Sequence, residues 1–341
     1  GSRVTLVTGG PEVVPTHSAG VHARVRRMLR RRGIDVIREA CVGIEAGGDP
    51  GQGMLKLGRV LRLTAAPFAD LDAIDRAVAL PCLREDGSPP APFTRATAHS
   101  AGWQWCVPLQ HRNGNGHVYC SAFMQDDEAH DILVGNLAGK PQADPNFLRF
   151  VTGRRKKFWN RNVVALGLAA GFMEPLESTS IHLINTGVNK LIALLSLAGI
   201  TQVQEDAFNR FTAKEYVRIR DFLVLHYNAT TRDDSECWNH VRTMKVPDSL
   251  VEKVELFRLN GQIFREEDEL FTETSWAAVM MGQGITMQGH NPMADRIPAA
   301  DLKKEFDEIE RSVRFAVDRM PTHHDYLKRY CPAPEQAAVA A

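Results

Sequence analysis

The chain has 341 residues, 44% of them apolar, and its 41 basic side chains are offset by 41 acidic ones. That length exceeds what one hydrophobic core usually organises, so two lobes are expected, and the balanced charge gives no electrostatic pull toward nucleic acid or an anionic membrane. Six cysteines (Cys41, Cys82, Cys106, Cys120, Cys237, Cys331) form no CxxC pair and follow no legible secretory leader, which argues against a zinc site or a disulfide framework and for a reduced, cytoplasmic protein.

RVTLVTGGPEVVP opens as a β-branched strand, Val4 to Thr8, broken by Gly9, Gly10 and Pro11. HSAGVHARVRRMLRRRG reads as a basic amphipathic helix with Val21, Val25, Met28 and Leu29 on one face, stopped at Gly33. IDVIREACVGIEAGG is a second strand-like segment, so residues 1–50 predict a partial Rossmann-like strand-helix-strand unit. The glycine-rich stretch 46–58 is the expected hinge, and residues 51–150 are expected to be mainly antiparallel sheet, with a hairpin turn at Asn113-Gly114 and Asn115-Gly116. From Asp126 onward helices are expected to dominate, from DDEAHDILVGNLAG with its acidic first turn through ADPNFLRF to three long periodic stretches ending at Met320. Residues 151–331 are assigned to a helical domain and 332–341 to a flexible tail.

Four places carry chemistry-bearing residues. In GFMEPLESTSIHLI, Glu174 and Glu177 sit in an otherwise apolar segment, where a carboxylate costs several kcal/mol unless it is paired, hydrogen-bonded or used. On the residues alone they fit either a functional site or an acidic helix start with Pro175 in its first turn. The same segment ends the longest apolar run, VVALGLAAGFMEPL, short of the roughly 20 residues a membrane span needs, so the protein is read as soluble. Trp103 and Trp105, two apart, share one face of a strand and suit sheet packing. Arg154, Arg155, Lys156 and Lys157 fit a phosphate clamp or a solvated basic helix start, and Gly282 and Gly284 in MMGQGI fit a close cofactor approach or a helix stop. The histidines do not cluster at metal-ligand spacing, and no metal is expected.

Three islands in order, GWQWCVPL (102–109), GRRKKFWNRNVVALGLAAGFMEPLESTSIHLI (153–184) and a run from Arg218 to Gly284 containing LVLHYNATTRDDSECW, resemble the flavin-dependent tryptophan halogenases over residues 70–330. The resemblance implies an α/β (α+β) fold, with an incomplete FAD-binding Rossmann-like lobe and antiparallel sheet followed by a mainly helical domain. It implies a reaction in which reduced FAD, supplied by a separate flavin reductase, and oxygen oxidise chloride or bromide, and the halogen species reaches tryptophan or another indole or phenol. Glu177 with Ser178 is then the catalytic position, the backbone amides of Thr179 and Ser180 hold halide, and Trp103, Trp105, Pro108 and Glu174 line the chamber. Gly282 and Gly284 are carried as cofactor-binding, and a homodimer is the family habit. The GxGxxG turn and the lysine that the family carries near its start have no counterpart here, since no lysine precedes Lys56. The first 45 or so residues instead resemble an internal fragment of a pyridine-nucleotide-disulfide-reductase-like flavoprotein. These departures raise an alternative, a catalytically incompetent halogenase remnant that at most binds an aromatic.

Overall fold

The computed structural model describes residues 4–7, 34–37, 45–46, 53–54, 65–68, 74–84, 89–161, 163–196, 199–266 and 269–333. Its strands are β1 (Val4–Val7), β2 (Ile34–Ile37), β3 (Glu45–Ala46), β4 (Gly53–Met54), β5 (Ala65–Pro67), β6 (Arg76–Ala79), β7 (Arg95–His99), β8 (Gly102–Pro108), β9 (Asn113–Tyr119), β10 (Asn146–Arg149), β11 (Gly153–Arg155), β12 (Trp159–Asn160), β13 (Val163–Ala165) and β14 (Gly171–Phe172). The α-helices are α1 (Asp126–Gly135), α2 (Ser180–Leu194), α3 (Gln202–Asn228), α4 (Glu236–Thr243), α5 (Asp248–Asn260), α6 (Glu273–Gly282), α7 (Ala299–Val317) and α8 (His323–Tyr330).

The β-branched segments expected at the start do form strands, and β1 and β2 pair in parallel from Val4↔Ile34 to Val7↔Ile37. On the other side of β1 lies β13, also parallel, so a sheet of order β12-β13-β1-β2 joins the beginning of the chain to residues 159–165. The helix expected over residues 17–33 and the tail 334–341 lie outside the described residues, as does most of the 46–58 hinge, of which β3 and β4 form an antiparallel pair. The antiparallel sheet is as expected, with order β10-β6-β9-β8-β7.

Three expectations are corrected. The NGNG run is not a turn: it is the first half of β9, and the β8–β9 connection falls at Leu109–Arg112, closed by the Leu109 amide on the Arg112 carbonyl at 2.8 Å. Packing overrides turn chemistry here. Gly116 lies under the Trp105 indole, where a Cβ would stand 2.0 Å from Trp105 Cζ2, and Asn115 turns its amide inward to Cys82 Sγ at 3.2 Å. ADPNFLRF supplies the edge strand β10 rather than a helix, pairing Phe147↔Val78 and Leu148↔Ala77. Between 153 and 172 lie the short strands β11 to β14 and one 3₁₀ turn, so the long helices after 151 begin at Ser180.

The two expected lobes share one core. Ala77, Trp103 and Val118 of the antiparallel sheet, Val163 to Leu166 around β13, and Phe208, Tyr216, Phe222 and Leu223 of α3 belong to one contiguous buried cluster, with a smaller one under α1 built from Val78, Leu80, Met124 and Leu133. The 27-residue α3, roughly 40 Å long, is the axis of that core. Its start is fixed by the Thr201 amide donating to Gln204 Oε1 at 2.6 Å, one half of a capping box.

Candidate active site

The segment that leaves the carboxyl end of β13 folds back on itself in a strained turn. Gly167 takes φ 62° and starts a 3₁₀ turn, β14 follows, and then Glu174, Glu177 and Ser178 adopt φ of 117°, 63° and 51°. Left-handed backbone at a residue with a Cβ costs on the order of 1–3 kcal/mol, so three such residues in five positions persist only because the surroundings hold them. The turn ends where α2 begins at Ser180, with Thr179 buried at its N-cap, so a helix does start at the pair expected to hold halide.

This backbone sends the two glutamates to different environments. Glu174 goes inward and is 1% exposed. Trp103 Nε1–H donates to Tyr227 Oη at 3.0 Å, and the Tyr227 hydroxyl donates to Glu174 Oε2 at 3.2 Å, while Glu174 Oε1 completes no hydrogen bond. Burial dominates its titration and pushes it up from 4.5 to about 8; the Leu176 amide and the Tyr227 and Trp103 donors pull it back in part, and the charge of Glu177 adds to the rise. At neutral pH Glu174 is therefore a neutral acid. Burial and the neighbouring Glu174 also raise Tyr227 well above the usual phenol range, so it stays a hydrogen-bond donor.

Glu177 goes the other way, to the surface of the turn, where its side chain is 36% exposed and Oε1 lies 3.3 Å from His226 Nε2. The water-poor setting belongs to Glu174, the expected chamber residue, and not to Glu177, the expected catalytic one, because the positive-φ turn rotates the later carboxylate outward. His226 is fixed from behind: its Nδ1 is 2.8 Å from the Phe222 carbonyl, one helical turn earlier, and its ring stands edge-on to Phe222. Phe222 in turn stacks on Phe271 at 3.8 Å and meets Trp276 at 4.8 Å between ring centroids. Adjacent residues of one helix, about 100° apart around its axis, thus engage two glutamates three apart in the turn.

His226 and Tyr227 were missed by sequence reasoning. They lie inside the LVLHYN run, and the signal was a polar His-Tyr pair interrupting a buried apolar stretch, FLVL, at the end of a long helix.

The remaining expected residues divide. Trp103 is buried beside Tyr227, and Trp105 meets it edge to face at 6.2 Å, so the tryptophans share a face as expected and lie on the Glu174 side. Pro108 does not join them. Side chains alternate along β8, which puts Gly102, Gln104, Cys106 and Pro108 on the opposite face, where Pro108 lines a separate cavity of about 220 Å³ with Phe93, Arg95 and Cys106. Gly282 and Gly284 lie in the last turn of α6 and its exit. Gly284, at φ 79°, donates to the Met281 carbonyl at 3.0 Å, and it borders a cavity of about 550 Å³ reached from Leu225, Asn228 and Ala229, the face of α3 turned away from Tyr227. A helix stop accounts for this geometry.

The basic run is not a solvated helix start. Arg154 and Arg155 are in β11; Arg155 is buried with Nε on the Ala169 carbonyl at 2.9 Å, and Arg154 lies over Phe158, its guanidinium lowered from its ordinary value by burial and by Arg220. Only Lys156 and Lys157 face water, Lys157 pairing with Glu205 at 3.4 Å. Among the described residues no cluster of His, Cys, Asp and Glu could hold a metal ion.

The tryptophan halogenase family profile matches residues 44–299. Over 283 residues the chain is 32% identical to the tryptophan 6-halogenase SttH of Streptomyces toxytricini, an alignment covering 80% of this chain and 53% of that protein. Among solved structures, Xcc4156, a flavin-dependent halogenase from Xanthomonas campestris, superposes with a TM-score of 0.78 at 37% identity, covering 93% of this chain and 69% of that one. BrvH, a flavin-dependent halogenase from Brevundimonas sp. BAL3, gives 0.76 at 35% identity, with 92% and 68% covered. The chain spans about half the length of the curated relatives it matches.

Proposed function

This chain belongs to the tryptophan halogenase family, and from that premise we propose that its site serves electrophilic halogenation of tryptophan or another indole or phenol ring. The observation that carries the reading is the strained 174–178 turn, which holds one carboxylate neutral against Tyr227 and Trp103 and presents the other, Glu177, beside His226. Glu177 stabilises positive charge as it develops on the attacked ring and then accepts the ring proton. Ser178 shares its left-handed turn and fixes the direction of the carboxylate. The first amides of α2, at Thr179 and Ser180, are the proposed halide site, where N–H groups and the helix dipole favour an anion.

Support for a flavin comes from the sheet. In a doubly wound sheet ligands lie beyond the carboxyl ends of the parallel strands. Here β13 and β1 end side by side, the Gly167 turn rises from β13, and Leu168, 58% exposed, offers an apolar surface for a flat ring. These residues fit the ring end of the cofactor. Bound and reduced, FAD would supply the oxygen-derived oxidation of chloride or bromide. The reduced flavin is proposed to come from a separate reductase, and the protein to work in the cytoplasm as a homodimer; no helix among the described residues is long and apolar enough to cross a membrane.

A second reading, a module that binds an aromatic without turning it over, is favoured by the exposure of Glu177, since an electrophilic halogen survives best where water is excluded. Incubation with a flavin reductase, NADH, FAD, bromide and indole decides between them. Saturable FAD binding with brominated indole as product is expected; saturable binding of indole by the folded chain with no brominated product overturns the halogenase reading.

A further inference from the structure

The reading of Glu177 as the group facing the ring leaves open what orients it and where its proton goes. We propose that His226 is the positioning residue of this site and passes on the proton that Glu177 collects, a proposal that rests on the halogenase reading. The Phe222 carbonyl can only accept, so the hydrogen of the neutral imidazole stays on Nδ1, 2.8 Å away. Nε2 is then the face turned to Glu177 Oε1, at 3.3 Å. A lone pair on Nε2 against a carboxylate oxygen would be repulsive, so in the proposed resting pair Nε2 carries a second hydrogen and the ring is an imidazolium in ion contact with Oε1, the 3.3 Å approach lying off the line of a hydrogen bond. The ion contact draws Oε1 toward the histidine and leaves Oε2 for the substrate.

The step balances without a further reactant. As the halogenated ring carbon loses its hydrogen, the C–H electron pair returns to the ring and the proton bonds to Glu177 Oε2. The Nε2–H proton leaves to water, which the 17% exposure of the His226 side chain permits; the Glu177 carboxyl then rotates to bring its Oε2–H against Nε2 and gives up that proton, restoring the carboxylate and the imidazolium. Nδ1–H stays on the Phe222 carbonyl throughout. Of the titratable groups near the pair, Glu174 of the same turn feels the charge of Glu177, and Phe222, itself packed on Phe271 and Trp276, stands edge-on to the His226 ring without charge.

The test uses the full chain. With ¹⁵N-labelled histidine, long-range proton–nitrogen spectra should show the His226 signal, identified by its loss in His226→Gln, protonated at Nδ1, and Glu177→Gln should move its Nε2 resonance while leaving Nδ1 in place. A bare Nδ1, or an Nε2 indifferent to Glu177→Gln, overturns the proposal whether or not the chain turns over. In the bromination assay His226→Gln, which keeps an N–H near Glu177 but cannot relay a proton, should lose about tenfold or more in kcat with KM for indole nearly unchanged, and His226→Ala should regain activity with added imidazole. A rise in KM with kcat retained and no rescue means structural support only, and overturns the relay while leaving the role of Glu177 intact. Undiminished halogenation by Glu177→Gln overturns both.

Discussion

The two sides of the 174–178 turn are built from the same residue type and do opposite things. On the inner side Glu174 is buried, neutral and tied through Tyr227 to Trp103 of the antiparallel sheet; on the outer side Glu177 is partly solvated and paired with a histidine held by its own helix. The inner carboxyl is structural, joining the sheet to α3 across the shared core, and the outer one is free for chemistry. The difference arises from backbone strain rather than residue chemistry, because positive φ at Glu174, Glu177 and Ser178 aims two side chains three residues apart at different solvents.

The sharpest way to break this comparison is Glu177→Gln. It should lower halogenation about 10²–10⁴-fold while changing stability by less than about 1 kcal/mol, since the lost pair is partly exposed; chemical denaturation beside the turnover assay checks both halves. Next is Glu174→Gln, whose effect depends on pH. The folded-state value of Glu174 is raised from 4.5 to about 8, so its burial costs nothing below about pH 4.5, and wild-type stability falls as pH rises toward about 8 because the unfolded chain ionises first. The variant should lose that slope and overtake the wild type by several kcal/mol near pH 8, on the order of 4 kcal/mol, in urea melts over that range. Tyr227→Phe should cost about 1–3 kcal/mol, because it leaves Glu174 Oε2 and the Trp103 indole N–H buried without their partner. Smallest is Ser178→Gly, expected to stabilise by about 0.5–1 kcal/mol by relieving the left-handed residue, with lower turnover as Glu177 loses its fixed direction.

The outer half of this arrangement was the more legible in sequence. The GFMEPLEST run announced costly carboxylates, and a helix does begin at Ser180. Period-2 spacing put Trp103 and Trp105 on one face, and the same parity, applied one step further, separates Pro108 from them. What sequence could not give was tertiary. Which glutamate is buried depends on φ values that no residue type announces at non-glycine positions, and the partners His226 and Tyr227 come from a helix about 50 residues downstream whose rotation relative to the turn is set by core packing. The NGNG run fails for a related reason, since a half-buried indole and a buried thiol claim its glycine and asparagine.

The central claim is that the turn holds a neutral carboxylic acid inside and a carboxylate outside. Infrared difference spectra of the wild type against Glu174→Gln, recorded across pH, test it most directly. A protonated-carboxyl band present at neutral pH, absent from the variant and lost as pH passes about 8 is the result expected; a spectrum in which the wild type and variant share no such difference at neutral pH contradicts it.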